Sequence, residues 1–110
     1  MKYLPKQGDI IILNLDPQIG HEQKGRRPVL IISNESFHNR TNLAMVCPIT
    51  NTISGFPAHI KLGNTTKTTG EIVCEQVKSL DVNARNAVYI ESVPDDILNE
   101  AVDLICSFVE

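Results

Sequence analysis

The sequence has little of several features that define other classes of protein. It contains no tryptophan, aromatic residues make up 5% of its 110 residues, and its three cysteines form no Cys-x-x-Cys pair. No apolar run approaches the roughly 20 residues that a membrane-spanning helix needs. An odd number of widely spaced cysteines argues against a disulfide framework or a zinc site. We therefore expect a globular protein without a metal or cofactor, with Cys47, Cys74 and Cys106 as small core residues.

The first residues, MKYLPKQGD, lack the hydrophobic core of a signal peptide. We therefore expect a cytoplasmic protein with no membrane partner. The length fits one domain, and we expect residues 1–110 to form it.

Positive charge is not in excess over the whole chain, whose formal net charge is −3. The charge is unevenly distributed, because residues 91–110 carry six acidic residues and no lysine or arginine, which leaves +3 for residues 1–90. Local clusters of charge steer a polyanion more than the total does. An overall negative charge therefore does not exclude a nucleic-acid partner.

Short apolar runs rich in β-branched residues alternate with segments rich in Gly, Pro, Asn and Thr. This pattern predicts several short strands and a helical turn over residues 33–40. The run over residues 28–32 is apolar on both faces, which is typical of a strand covered on both sides. Many short strands with one terminal helix predict a small, strongly bent sheet or open barrel. The predicted strands cover residues 10–15, 28–32, 43–49, 58–62, 71–78 and 87–91.

The end of the chain has the spacing of an amphipathic helix. Apolar residues recur at helical intervals from Ile97 to Phe108, and the segment 92–95 resembles a capping box. The apolar arc covers about half the circumference, taking roughly 100° per residue. Such an arc can cover the core and contact a second chain, and burial within one chain is the alternative.

The segment GHEQKGRRP, residues 20–28, places reactive and charged groups between two apolar runs. Pro28 restricts Arg27 to an extended backbone, which fixes where its guanidinium leaves the sheet. If the strand that starts at Pro28 pairs antiparallel with the strand that ends at Thr50, Arg27 and Thr50 lie at one rim. His21 and Glu22, in the loop that precedes the first strand, lie there too. The alternative for each is an ordinary surface role, such as an ion pair between Arg27 and Glu22.

Together, these segments resemble the PemK/MazF family, the toxins of bacterial toxin–antitoxin pairs. The resemblance spans nearly the whole chain. It implies a mainly β fold with helices, a small SH3-like β-barrel of the PemK/MazF/CcdB type with a C-terminal α-helix. The matching segments, in order, are Gly8-Asp9, Asp16-Pro17, Gly20-His21-Glu22-Gln23, Arg27-Pro28-Val29-Leu30, Pro48-Ile49-Thr50 and Glu75-Gln76-Val77-Lys78.

The resemblance also implies an activity and partners. It implies a homodimer that acts as a metal-independent, sequence-selective endoribonuclease on single-stranded RNA, chiefly mRNA. A labile antitoxin, whose acidic C-terminal segment lies across the RNA groove, is the implied inhibitor. The implied catalytic residues are Arg27 and Thr50, with Glu22 and His21 in some members.

Other residues are predicted to contact RNA. Phe56 is the best candidate for stacking on a base, although a loop aromatic can instead cap the core. In one branch of the family an acid at the position of Glu75 serves as base and is paired with an arginine two residues earlier, where this chain has Val73. The full predicted set is Gln23, Lys24, Arg26, Phe56, Glu75 and Gln76.

RNA can be cleaved without a metal when its own 2′-hydroxyl is the nucleophile. The protein then removes that proton, protonates the leaving 5′-oxygen and stabilises the negative charge on phosphorus. Arg27 suits the charge, because a guanidinium matches phosphate oxygens. The sequence leaves open which residue is base and which is acid. Two alternatives remain: a toxin of the same fold that binds a protein such as DNA gyrase, and an inactive scaffolding module.

Overall fold

The computed structural model describes residues 2–16, 20–23 and 25–110, and in these residues the chain forms seven strands and two α-helices. The mainly β fold with a C-terminal helix is confirmed. The strands are β1 (Asp9–Asn14), β2 (Arg26–Ile31), β3 (Ala44–Thr50), β4 (His59–Lys61), β5 (Glu71–Val73), β6 (Lys78–Leu80) and β7 (Val88–Ser92). The helices are α1 (Glu35–Thr41) and α2 (Asp95–Ser107), and a 3₁₀ turn (Cys74–Gln76) separates β5 from β6.

The strands form one antiparallel sheet in the order β4-β5-β3-β2-β1-β7, with β6 also paired to β3. Strand β3 changes partner along its length. Val46 lies opposite Lys78 of β6, whereas Ile49 lies opposite Ile72 of β5. This change of partner bends the sheet into the barrel-like form that the sequence predicts.

Both faces of the sheet are covered, as the run over residues 28–32 predicts. Successive residues of a strand point to opposite faces, so Leu30 enters one apolar cluster while Val29 and Ile31 enter the other. The Leu30 cluster includes Ile97 and Ala101 of α2, which explains why the helix packs on that face. The Val29 cluster lies on the opposite face.

Helix α1 is found in the segment predicted as a helical turn, but it spans Glu35–Thr41 instead of residues 33–40. The Asn34 side chain accepts a hydrogen bond from the Phe37 N–H, and Asn42 ends the helix in the left-handed conformation with φ 59°. No helix among the described residues is long and apolar enough to cross a membrane.

Three details of the sequence prediction are wrong. The predicted strand over residues 71–78 is interrupted by the 3₁₀ turn. The predicted capping box of α2 does not form, because Pro94 occupies the cap position and the Ser92 hydroxyl donates instead to Asp9. Cys106 is exposed rather than in the core, since it lies on the outer side of α2, whereas Cys47 and Cys74 are buried.

Candidate active site

The loop over residues 20–23 is attached to the 3₁₀ turn by the side chain of Gln76. The Gln23 N–H donates to Gln76 Oε1 at 2.7 Å, and Gln76 Nε2 donates to the His21 carbonyl at 3.2 Å. The amide of Gln76 therefore satisfies two backbone groups of the loop, one on each side of Glu22. This contact brings His21 and Gln23 beside the turn that carries Glu75.

A second set of bonds holds the base of the same loop. The Gly25 N–H donates to Asp16 Oδ1 at 2.9 Å, and the Leu15 N–H donates to the Gly25 carbonyl at 2.9 Å. Arg85 Nη1 donates to the carbonyls of Asn14 at 3.1 Å and Asp16 at 2.9 Å. The loop therefore leaves and re-enters the sheet at a fixed separation, with Arg27 two residues beyond Gly25.

Arg27 and Thr50 lie at the same end of two paired strands. Strands β2 and β3 are antiparallel, with Val29 opposite Pro48, so the predicted pairing is confirmed. Arg27 and Thr50 each lie two residues beyond this pair, at one rim and on one face of the sheet, and Thr50 is itself paired with Glu71 of β5. Directly opposed residues share a face of the sheet. A row of guanidinium, hydroxyl and carboxylate groups thus crosses three neighbouring strands.

The row lies on the face that carries the Val29 cluster. Along β2 that face runs from Ile31 and Val29 to Arg27, and along β3 it runs from Val46 to Thr50. The face is apolar at one end and polar at the other. The hydrophobic packing therefore fixes the strands whose ends at this rim form the site.

Thr50 is positioned by its own backbone. Its side chain is 4% exposed, and its Oγ1 accepts the Thr52 N–H at 3.2 Å. A Cβ on Gly70 would lie 2.3 Å from the Thr50 carbonyl oxygen, and Gly70 has φ +116°. Only glycine fits there. A hydroxyl can accept and donate at once, so Thr50 remains able to donate to a phosphate oxygen.

His59 lies between two carboxylates beside this row. Its Nδ1 is 3.1 Å from Glu71 Oε1, and its Nε2 is 3.1 Å from Glu75 Oε2. Glu71 is almost completely buried, whereas 38% of the Glu75 side chain is exposed. The three groups form a chain from the interior of the sheet to its surface.

These contacts shift the pKa values of His59 and Glu71. Burial alone lowers the pKa of His59, but hydrogen bonds and charge attraction from Glu75 and Glu71 outweigh it, so the net pKa is raised. Burial alone raises the pKa of Glu71, but bonds from His59 and from the N–H groups of Ser54 and Gly55 lower it overall. Both shifts favour an imidazolium bound to a carboxylate.

The loop that carries Phe56 is attached to the same chain of groups. The Ser54 N–H donates to Glu71 Oε1 at 3.3 Å, and Ser54 Oγ lies 3.2 Å from His59 Nδ1. The Phe56 ring is 51% exposed and meets the His59 ring edge-on at 5.3 Å. A depression of about 390 Å³ opens beside them. It is lined by Gly55, Phe56, Pro57, His59, Ile60, Lys61, Glu71 and Glu100.

The structure does not bring every predicted residue to this row. Arg26 points to the opposite face from Arg27, and its Nη2 donates to the Asn86 carbonyl at 3.0 Å. Lys24 lies outside the described residues. Among the described residues, no group of three or more His, Cys, Asp or Glu side chains is arranged to hold a metal ion.

Another hollow, of about 410 Å³, lies away from the predicted site residues. It lies between the N-terminal segment, helix α1 and the turn over residues 81–84. Because it contains none of the predicted catalytic groups, its size does not make it the site.

Sequence reasoning missed His59 and Glu71. One signal was present: Glu71 stands beside Ile72 and Val73 in a predicted strand, and a carboxylate in an apolar strand needs a partner to be buried. The sequence does not identify that partner, because His59 precedes Glu71 by twelve positions and no local pattern connects the two residues.

The fold and the row of groups define a class: a small, bent β-sheet protein with a polar site suited to a phosphodiester. Comparisons give the family. Residues 6–109 match the family described as PemK-like, MazF-like toxin of type II toxin–antitoxin system. The chain therefore belongs to this family.

Individual relatives and solved structures are consistent with membership of this family. The chain is 37% identical over 102 residues to endoribonuclease PemK of Escherichia coli, covering 88% of this chain and 76% of the relative. The crystal structure of MazF from Deinococcus radiodurans superposes with a TM-score of 0.90 at 34% identity, over 97% of both chains. The MazE–MazF complex of the same organism gives a TM-score of 0.84 at 34% identity, over 97% of this chain and 96% of the other.

Proposed function

We propose that this chain is an endoribonuclease toxin that cleaves single-stranded RNA, chiefly mRNA, without a metal and with sequence selectivity. The observation that supports it most is the row in which Arg27, near the start of β2, and Thr50, at the end of β3, lie at one rim of the sheet with the loop of residues 20–23. Membership of the family and the printed activity of its relatives point the same way.

The reaction needs no nucleophile from the protein. The 2′-oxygen of the RNA bonds to phosphorus while the bond to the 5′-oxygen breaks, which leaves a 2′,3′-cyclic phosphate and a 5′-hydroxyl end. Arg27 and the Thr50 hydroxyl stabilise the charge that develops on the phosphate oxygens. Glu22, His21 and Glu75 are the candidates for moving the two protons.

Selectivity is assigned to the depression beside Phe56. Single-stranded RNA is read by stacking on aromatic rings and by bonds to exposed base edges. The half-exposed Phe56 ring offers the first, and polar groups that line the same depression offer the second. Gln23, in the loop of residues 20–23, and Gln76, in the 3₁₀ turn, are joined by the bond from the Gln23 N–H to the Gln76 side chain and are further candidates to contact RNA.

The proposed partners are an antitoxin and a second copy of the chain, in the cytoplasm where mRNA is found. An acidic antitoxin segment would compete with RNA for the row that includes Arg27. The second copy is suggested by apolar side chains left exposed on β7 and after α2. These are Val88, Tyr89, Ile90, Phe108 and Val109.

The test is incubation of the purified protein with a long RNA in excess EDTA, followed by mapping of the ends. We expect cuts at a recurring short sequence with cyclic phosphate and 5′-hydroxyl ends. RNA left intact with and without added divalent cation would contradict the proposal. Inhibition of DNA supercoiling without RNA cleavage would favour the gyrase-binding alternative.

A further inference from the structure

The two carboxylates that contact His59 differ in exposure, so the ring has one buried partner and one partner at the surface. Glu71 is buried at 1% exposure and binds Nδ1, whereas Glu75 is exposed at the surface and binds Nε2. Of the three linked side chains of Glu71, His59 and Glu75, that of Glu75 is the most exposed and can contact RNA. It also adjoins Gln76, whose side chain holds the loop of residues 20–23.

Only one form of the ring satisfies both contacts. A carboxylate can only accept, so each nitrogen of His59 must carry a hydrogen, and the ring is then an imidazolium. In the neutral ring one nitrogen would turn a lone pair toward a carboxylate. The contact to Glu71 or the contact to Glu75 would then become repulsive.

We propose that His59 is a positioning residue for RNA cleavage: held as an imidazolium between Glu71 and Glu75, it fixes the Glu75 carboxylate in place, so that Glu75 takes the proton of the attacking 2′-hydroxyl. The inference rests on the proposed function. In this step the proton moves from the 2′-oxygen to Glu75 as the 2′-oxygen–phosphorus bond forms. The leaving 5′-oxygen receives its proton from His21 or from water.

The pairing of β4 with β5 fixes the position of His59 relative to Glu71. His59 lies directly opposite Val73 in the β4–β5 register, and Glu71 lies two residues away on the same face. Ser54 also reaches Nδ1, which ties the Phe56 loop to the same ring. One imidazole therefore joins β4, β5 and the 3₁₀ turn.

The pH dependence follows from the groups around the ring. Glu71 faces it from β5, Glu75 from the 3₁₀ turn, and Lys61 and Glu100 line the same depression from β4 and α2. The carboxylates raise the pKa of His59. The imidazolium persists below this raised pKa and is lost as pH rises through it, so cleavage should fall on the alkaline side.

The experiment combines single-turnover cleavage of an RNA oligonucleotide, measured across pH, with NMR titration of the histidines. His38 is an internal reference, because its ring contacts the Ser33 hydroxyl and the Pro5 carbonyl instead of carboxylates. The variants are His59→Gln and Glu71→Gln. Glu91→Gln is the matched control, since Glu91 also accepts backbone bonds, from Lys67 and Thr68, outside the row.

We expect the pKa of His59 to lie above the ordinary value of a histidine and to fall in Glu71→Gln, with the alkaline limb of cleavage moving to lower pH by the same amount. His59→Gln should cleave roughly tenfold more slowly at neutral pH, less than the loss of the base itself, and should lack that limb. Glu91→Gln should match the parent protein.

An alkaline limb that stays in place while the pKa of His59 falls would overturn the inference. So would a His59→Gln variant with the parent rate and pH profile. If His59→Gln does not fold, the comparison of Glu71→Gln with the parent decides alone. A parent protein that leaves RNA uncut would overturn the proposed function, whereas cleavage with an unmoved limb overturns only the role of His59.

Discussion

Two buried carboxylates, at opposite ends of the sheet, show how similar local sequences lead to different chemistry. Asp9 follows Gly8, and Glu71 follows Gly70, and both glycines have positive φ angles, of 93° and 116°. Asp9 is 4% exposed and Glu71 is 1% exposed. In each case glycine turns the chain so that an acid enters the first position of a strand.

The donors make the difference. Asp9 accepts from Tyr3 Oη, from the Lys6 N–H at 3.3 Å and from Ser92 Oγ at 3.1 Å, which are all neutral groups. Glu71 accepts from His59, which can lose or gain a proton and reaches the exposed Glu75. A carboxylate bound by neutral donors ties the N-terminal segment to β7, whereas one bound by an imidazole connects the core to the site.

The largest effect is expected from Gly70→Ala. Its Cβ would meet the Thr50 carbonyl oxygen at 2.3 Å, so β3 and β5 must separate. Gly8→Ala is the matched control, because its Cβ would meet Leu98 Cδ2 at 3.4 Å and Val93 Cγ2 at 3.9 Å, which are both ordinary contacts. We expect Gly70→Ala to lower the free energy of unfolding by about 3 kcal/mol and Gly8→Ala by about 1–2 kcal/mol.

Denaturant unfolding of both variants measures the difference. Equal losses would mean that the positive φ angle alone, and not the close approach to Thr50, makes glycine necessary at position 70.

A smaller effect is expected from Asp9→Asn. An amide that replaces the carboxylate cannot accept from all three donors of Asp9, so we expect a loss of about 2 kcal/mol in the free energy of unfolding. The rate of RNA cleavage by the folded variant and its pH profile should stay the same, because Asp9 lies away from the row. A shifted alkaline limb in Asp9→Asn would show that the two carboxylates are not distinct in function.

The smallest effect is expected from Tyr3→Phe, which removes one donor to Asp9. Burial, with the bond and charge of Asp9, raises the pKa of Tyr3, so the phenol stays protonated. We expect a loss of about 1.5 kcal/mol that does not vary between about pH 6 and 9, since an unperturbed tyrosine titrates near 10. Urea unfolding at several pH values checks this, and a loss that depends on pH in that range would be the contrary result.

The strands were predictable because their apolar runs are short and bounded by Gly, Pro and Asn. The antiparallel pairing of β2 with β3 followed from the length of their connection, and with it the end of the sheet where Arg27 and Thr50 lie. The 3₁₀ turn was not predictable, because residues 71–78 have the composition of a continuous strand. Its bend is fixed by a tertiary contact, in which Gln76 binds the loop of residues 20–23.

The surroundings of Glu75 are the part of the site that the sequence predicted least well. From the sequence, Val73 leaves Glu75 without a basic partner on its own strand. In the structure the partner comes from the neighbouring strand, where His59 lies directly opposite Val73. A contact of this kind depends on the β4–β5 register. No local sequence pattern predicts that register, because residues 62–70 separate the two strands.

Cleavage of RNA by the row that crosses β2, β3 and β5 is tested most directly by the ratio of two single-turnover rates. Arg27→Ala removes the guanidinium of the row, and Arg40→Ala removes one from the last turn of α1, away from it. With both variants folded, we predict that Arg27→Ala cleaves an RNA oligonucleotide on the order of 10²–10³ times more slowly than Arg40→Ala. Equal rates in the two variants would show that the guanidinium of Arg27 takes no part in cleavage.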